Sequence, residues 1–172
     1  MTSPAESQNQ SSIPSPALDQ AASIPFLTKA FASGLFSGYL PAATGTFGTL
    51  VGLAIYLIPG FENIYVLLPA CLIVFLLGIR ASRAMEKVYG HDPAEVTIDE
   101  VLGMWVSLLF LPKSMPIAGF AFFLFRLLDI FKPFPAKRLD QKRGGFGVMA
   151  DDVISGIYTN VILQLLVALR IL

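Results

Sequence analysis

RLLDIFKPFPAKRLDQKRGGFGVMADD, residues 126–152, is the densest run of charge in the chain, and apolar segments lie on both sides of it. Its six Lys/Arg (126, 132, 137, 138, 142, 143) are half of the chain's twelve, and they are set against four Asp (129, 140, 151, 152). Pro133 and Pro135 end a helix arriving from the N-terminal side, because the residue before a proline is pushed out of the helical region. Gly144, Gly145 and Gly147 form a glycine-rich loop ahead of a second helix, expected from about Asp151 to the end. Residues 153–169 of that helix carry no charge. Charges set this densely in an apolar chain are costly unless they pair, bind a metal or meet a charged ligand. The stretch therefore predicts helices on either side and chemistry between them.

The other segments extend the pattern toward the N-terminus. FLTKAFASGLF (26–36) reads as a short helix. Thr44 or Thr46 is expected to N-cap an apolar helix reaching about Ile58, before Pro59–Gly60. The next helix, about 63–89, opens with sixteen apolar residues and then places Arg80, Arg83 and Lys87 at helical spacing, with Gly90 as its stop. HDPAEVTIDE (91–100) is a second acidic cluster. Its Asp99–Glu100 opens a helix closed by Pro112, and a further helix spans roughly 116–131. No strand alternation and no internal repeat is visible, so the fold is all-α: a compact bundle of about five to seven helices.

Composition places that bundle at a membrane. The chain is 55% hydrophobic and 14% charged, against about 25% charged in soluble domains, and its mean hydropathy is +0.68. Most apolar runs are shorter than the roughly 20 residues that span a bilayer, and only 63–79 and 153–172 come close. The bundle is thus membrane-embedded or membrane-seated, and the segments that are apolar all round favour embedding. Zero net charge gives no general attraction to nucleic acid, and the local basic excess suits a phosphate group. A lone cysteine, Cys71, rules out an intramolecular disulfide. Residues 1–25, rich in Ser, Pro, Gln and Ala, are expected to be a disordered tail and not a secretory signal, leaving 26–172 as the helical domain.

Five carboxylates stand at the ends of apolar helices: Asp99, Glu100, Asp129, Asp151 and Asp152. Oxygen donors without a His or Cys cluster suit a hard cation, and Mg²⁺ is the usual companion of phosphate. N-capping is the plainer alternative for Asp99 and Asp151. Arg126, Asp129 and Lys132, at i, i+3 and i+6, share one helix face. They form either an ion-pair ladder or a site in which Arg126 and Lys132 grip phosphate while Asp129 binds metal. The loops GTFGT (45–49, with Thr46, Gly48 and Thr49) and GGFG (with Gly144 and Gly145) can turn backbone amides toward an anion, or can simply allow close helix packing. His91 is either a proton-transfer group or a solvated loop residue.

Three blocks, SGLFSGYLPAATGTFGTL, HDPAEVTIDEVLGMWV and FRLLDIFKPFPAKRLDQKRGGFGVMADDVISG, in this order and spacing, resemble the bacterial phosphatidylglycerophosphatase A family across about residues 30–160. The resemblance implies a Mg²⁺-dependent lipid phosphatase of the inner membrane. It would convert phosphatidylglycerophosphate to phosphatidylglycerol and inorganic phosphate, with its site facing the cytoplasm. Carried over by position, the family's acidic residues fall on Asp99, Glu100, Asp129, Asp151 and Asp152, and its basic residue on Lys132. Thr44 stands where the family usually has proline, and Thr49 keeps the hydroxyl of the usual serine. On this reading Asp99, Glu100, Asp129 and Asp152 hold metal. Asp129, Lys132, Asp151, Asp152 and Arg126 carry catalysis, by activated water or through an aspartyl-phosphate. Two rivals stay open: a non-catalytic membrane protein using its acids for cation binding or passage, and a soluble Mg²⁺ phosphohydrolase.

Overall fold

Each apolar run becomes a helix, and glycine and proline set most of the boundaries. The structure, a computed structural model, describes residues 24–142 and 144–172, with Asp140 described through its backbone alone. The expected tail, up to residue 23, and Arg143 lie outside the described residues. Among those described there are seven α-helices and no strand: α1 (Phe26–Ala32), α2 (Thr44–Tyr56), α3 (Ile64–Tyr89), α4 (Ile98–Ser107), α5 (Met115–Phe131), α6 (Ala136–Asp140) and α7 (Phe146–Ala168). A single 3-10 turn, Ser37–Tyr39, follows α1.

The central element is the short α4, in which every residue but Glu100 is buried. Fully burying a side chain such as Leu102 or Met104 contributes about 1.5–3 kcal/mol, so α4 anchors the bundle. Glycines bring its neighbours close. A Cβ at Gly156 would lie 2.6 Å from the Gly103 carbonyl oxygen, and one at Gly52 would lie 2.9 Å from Val101 Cα. Such approach between small residues is how helices pack without large side chains between them. Trp105 Nε1 donates to Gly52 O at 2.9 Å, fixing α2 along α4.

These contacts set the direction of every long helix. Gly48 meets Thr97 and Gly52, one turn on, meets Val101, so α2 runs parallel to α4. The Gly103–Gly156 contact, with Asn160 Nδ2 donating to Ser107 O at 3.1 Å, makes α7 parallel as well. Gly78 and Gly145 contact Met149 and Ile79, so α3 is antiparallel to α7, its C-terminal half beside the start of α7. The N-termini of α2, α4 and α7 therefore gather at one end of the bundle, where their dipoles favour anions.

Several boundaries differ from the sequence reading. Helix α1 stops at Ala32, four residues short of Phe36, and Gly34, at φ +49°, turns the chain just beyond it. Neither Thr44 nor Thr46 caps α2. Phe47 N donates to Ala43 O at 3.2 Å, so the helix closes on Ala43, whose φ is +53°, and Thr44 is already inside the first turn. Helix α4 stops at Ser107, short of Pro112, because Asn160 Nδ2 takes the Ser107 and Leu109 carbonyls and satisfies the end of the helix. Helix α7 starts at Phe146, five residues before Asp151. Gly145, at φ +77°, admits the turn, and Met149 N already donates to Gly145 O. Asp151 and Asp152 thus sit in the second turn and are not caps.

Helices α3 and α7 are long and apolar enough to cross a membrane. At 1.5 Å per residue, the 26 residues of α3 extend about 39 Å. Its outward face is an unbroken apolar surface that includes Tyr65, Leu68, Leu72, Ile73 and Leu76, all exposed. A surface of this kind meets lipid more favourably than water. Both helices are thus compatible with a membrane location.

Candidate active site

The end of the bundle where three helix N-termini meet is also where the carboxylates converge. Helix α4 brings Asp99 and Glu100 in its first turn, and α7 brings Asp151 and Asp152. Helix α5 arrives from the opposite direction and delivers Asp129 two residues from its end. Together with Asp92 and Lys132 they line a cavity of about 200 Å³. One carboxylate oxygen from each of Asp99, Glu100 and Asp152 can be chosen so that all lie within 4.8 Å of one another.

Cations frame the acids. Arg126 Nη1 donates to Asp129 Oδ2 at 2.6 Å, the i, i+3 pair expected on α5. Lys132 does not continue that ladder. It caps α5 in the left-handed region, φ +43°, and its Nζ turns across to Asp151 Oδ2 at 2.6 Å, with Asp92 at 3.9 Å. Asp92 is also left-handed, φ +46°. Two non-glycine residues in a sparsely populated conformation on one cavity wall mark a place where geometry is held against local preference.

The electrostatics are unbalanced in a specific way. Burial, then the Glu100 and Asp151 charges, push the Asp99 carboxyl well above its usual range. Burial is also the main cause that pushes Glu100 up to about 8. Glu100 Oε2 and Asp152 Oδ2 are buried without a donor, and Arg126 Nε is buried without an acceptor. Buried polar atoms are normally satisfied. The carboxylate oxygens call for a cation, and the guanidinium calls for a further anionic oxygen. The donor set is all oxygen, which fits Mg²⁺.

The glycine loops lie differently from one another. Gly45 faces the site: a Cβ there would meet Glu100 Oε1 at 2.5 Å and the Arg126 guanidinium at 2.9 Å. Gly48 packs on Thr97, and the buried Thr49 donates through Oγ1 to Gly45 O at 2.8 Å. Thr46 is half-buried in the first turn of α2. The amides of Gly144 and Gly145 both donate to Glu86 Oε2 at 2.8 Å, and Glu86 Oε1 lies 2.9 Å from His91 Nδ1. His91 is thus held at the end of α3.

Sequence reasoning missed Gly45, Glu86 and Asp92. Gly45 stood inside a quoted motif, and Asp92 belonged to the second acidic cluster. Glu86 gave no signal, because the two glycine amides it holds are 58 and 59 residues away. Glu86 clamps the turn that launches α7, and it tethers the loop carrying Asp92. Glu86→Ala should lower kcat by about 10- to 100-fold, the usual effect of removing a group that orients site residues. Glu86→Gln, whose amide oxygen can still accept from both glycines, should recover most of the rate. Turnover of both variants at matched folded fraction checks this, and an Ala variant of normal rate would contradict it.

Comparison with known proteins follows the same residues. A family model described as phosphatidylglycerophosphatase A matches residues 30–167. An Escherichia coli K12 protein named phosphatidylglycerophosphatase A is 32% identical over 141 residues, covering 77% of this chain and 78% of its own. A Haemophilus influenzae protein of the same name is 34% identical over 135 residues, covering 76% and 83%. A Bacteroides thetaiotaomicron protein, 35% identical over 148 residues and covering 80% and 92%, bears the name "Putative phosphatidylinositol-3-phosphatase". No solved structure matches the chain.

Proposed function

The chain belongs to the phosphatidylglycerophosphatase A family, and from that premise we propose that it is a Mg²⁺-dependent hydrolase of phosphatidylglycerophosphate, yielding phosphatidylglycerol and inorganic phosphate. It is a phosphoric monoester hydrolase acting on phospholipid. The observation that carries the metal-dependent reading is the set of buried oxygens of Asp99, Glu100 and Asp152 within 4.8 Å of one another, beside an Arg126 whose Nε has no acceptor.

Asp99, Glu100, Asp129 and Asp152 would hold the cation. Bound there, Mg²⁺ would supply charge neutralisation for phosphate oxygens and lower the pKa of an attacking water. Arg126, already 2.6 Å from Asp129, presents its remaining donors to the phosphate oxygens, and Lys132 adds a point charge from beside Asp151. Asp151 or Asp152 accepts the proton released as water attacks phosphorus. The P–O bond to the lipid glycerol breaks, and the leaving oxygen takes up a proton to give the free hydroxyl. The burial of Asp151 and Asp152, both under 5% exposed, strengthens each of these contacts.

Orientation follows from charge. Arg80, Arg83 and Lys87 lie in the half of α3 that meets the start of α7, and Lys137, Arg138 and Lys142 lie between α5 and α7. Basic residues concentrate on the cytoplasmic side of membrane proteins. The proposal therefore puts the site at the cytoplasmic face of the bacterial inner membrane.

The Bacteroides relative's name raises a second substrate, a phosphoinositide monoester. The test is kcat/KM for phosphatidylglycerophosphate against phosphatidylinositol 3-phosphate in the same micelles. The account predicts at least about a tenfold preference for the glycerol lipid, roughly 1.4 kcal/mol. A preference for the inositol lipid would overturn the substrate while leaving the site standing.

A further inference from the structure

We propose that the apolar groove between α3, α4 and α7 seats one acyl chain of the lipid whose phosphate lies at the carboxylates. The inference rests on the lipid-phosphatase reading and adds to it where the substrate's tail goes.

The groove has a volume of about 630 Å³, within the roughly 300–1,000 Å³ typical of small-molecule sites. Leu72 and Phe75 of α3, Leu102 and Val106 of α4, and Val153 and Ile157 of α7 form most of its wall, and every side chain lining it is apolar. Its depth separates it from an ordinary lipid-facing surface. It reaches down to Leu102, only 1% exposed, on the helix that the rest of the bundle encloses, while Leu72 and Ile157 on the rim are 60% and 43% exposed.

Its position identifies the occupant. Val153 directly follows Asp152, and Leu102 and Val106 continue from Asp99 at i+3 and i+7 along one stripe of α4. The groove therefore opens about one helical turn from the acids. From there it follows the bundle away from the charged end for about 10 Å, the rise of the seven residues from Phe75 back to Leu68 on α3. Phe75, whose ring packs at 6.1 Å from that of Phe146 at the start of α7, marks the upper end on α3. Two of the three walls belong to the helices long enough to cross the membrane, so the groove lies at hydrocarbon depth. A polar cavity about one helical turn from an apolar groove matches a molecule with a phosphate at one end and a hydrocarbon chain at the other. A peptide partner would need backbone hydrogen-bond partners, which this lining does not offer.

The test compares dioleoyl and dihexanoyl phosphatidylglycerophosphate, which share a headgroup and differ in chain length, for the wild type and for Leu72→Trp/Ile157→Trp. Both substitutions are on the exposed rim and project bulk into the groove. Ile73→Trp, 55% exposed beside Leu72 but outside the lining, is the control. The double variant should lose about tenfold or more of the long-chain kcat/KM and keep the short-chain value within about twofold, equivalent to ~1.4 kcal/mol in the ratio. The control should leave the ratio unchanged. Equal loss on both substrates, or an unchanged ratio, overturns the groove proposal. So does a change in oligomeric state with the ratio unchanged, which would make the groove a contact between copies. No phosphate release from either lipid by the wild type overturns the lipid-phosphatase reading itself, and the groove proposal with it.

Discussion

Asp152→Asn should reduce turnover by about 1,000-fold, while the metal-free protein melts at the same temperature as the wild type or higher. Asp152 is 3% exposed, and its Oδ2 has no donor within the protein. It faces other carboxylates, Asp99, Asp129 and Asp151, across the cavity. In the absence of a cation, one negative charge fewer relieves repulsion, and the amide can donate to a neighbouring carboxylate. A gain of about 1 kcal/mol would raise the melting temperature by ~2–4 °C. During turnover the same carboxylate is a ligand or a base, and an amide is a poor substitute for either. Loss of one preorganised electrostatic group costs about 100- to 1,000-fold. The upper value applies here, because the group is buried and shares in both tasks. Opposite signs in stability and activity distinguish a functional acid from a structural one. A variant that unfolds, or one that keeps its rate, would contradict the assignment.

Lys132→Ala should lose both rate and stability. Its Nζ lies 2.6 Å from Asp151 Oδ2, and that carboxylate is 3% exposed in its side chain while the lysine is 24% exposed. Breaking a buried pair by removing one partner costs up to about 3–5 kcal/mol. Lysine's partial exposure brings the expected stability loss to roughly 1–3 kcal/mol. The rate should fall by about 100- to 1,000-fold, because the phosphate would lose one of its two cationic partners. Lys132→Arg keeps the charge but enlarges the head, so it should restore the melting temperature better than kcat. Melting curves and kcat for both variants check the split. Equal recovery of both quantities in the arginine variant would show that charge alone matters at this position.

The sequence made the chemistry legible earlier than the geometry. The all-α class followed from apolar runs punctuated by proline and glycine, and the α3 and α5 boundaries fell within a residue or so of the expected ones. The five acids could be picked out because charge is rare in this chain. That they share one end depended on helix direction, which no local pattern encodes. It is set by contacts such as Gly103–Gly156 and Gly48–Thr97, between residues distant in the chain. The start of α7 was misplaced because GGFG reads as a loop, whereas Gly147 lies within the helix against the Leu139 and Lys142 carbonyls. Lys132 looked like the third rung of a ladder. Its left-handed backbone at the end of α5 sends it instead to another helix, where Nζ meets Asp151.

The central claim is that buried carboxylates at one end of this bundle hold a divalent cation needed for lipid phosphate hydrolysis. Phosphate release from dioleoyl phosphatidylglycerophosphate by detergent-purified protein, with Mg²⁺, with excess chelator, and after Mg²⁺ is restored, tests it most directly. The account predicts release that falls to background with chelator and returns with Mg²⁺. Undiminished release in chelator, from protein shown to be folded and free of metal, would contradict it.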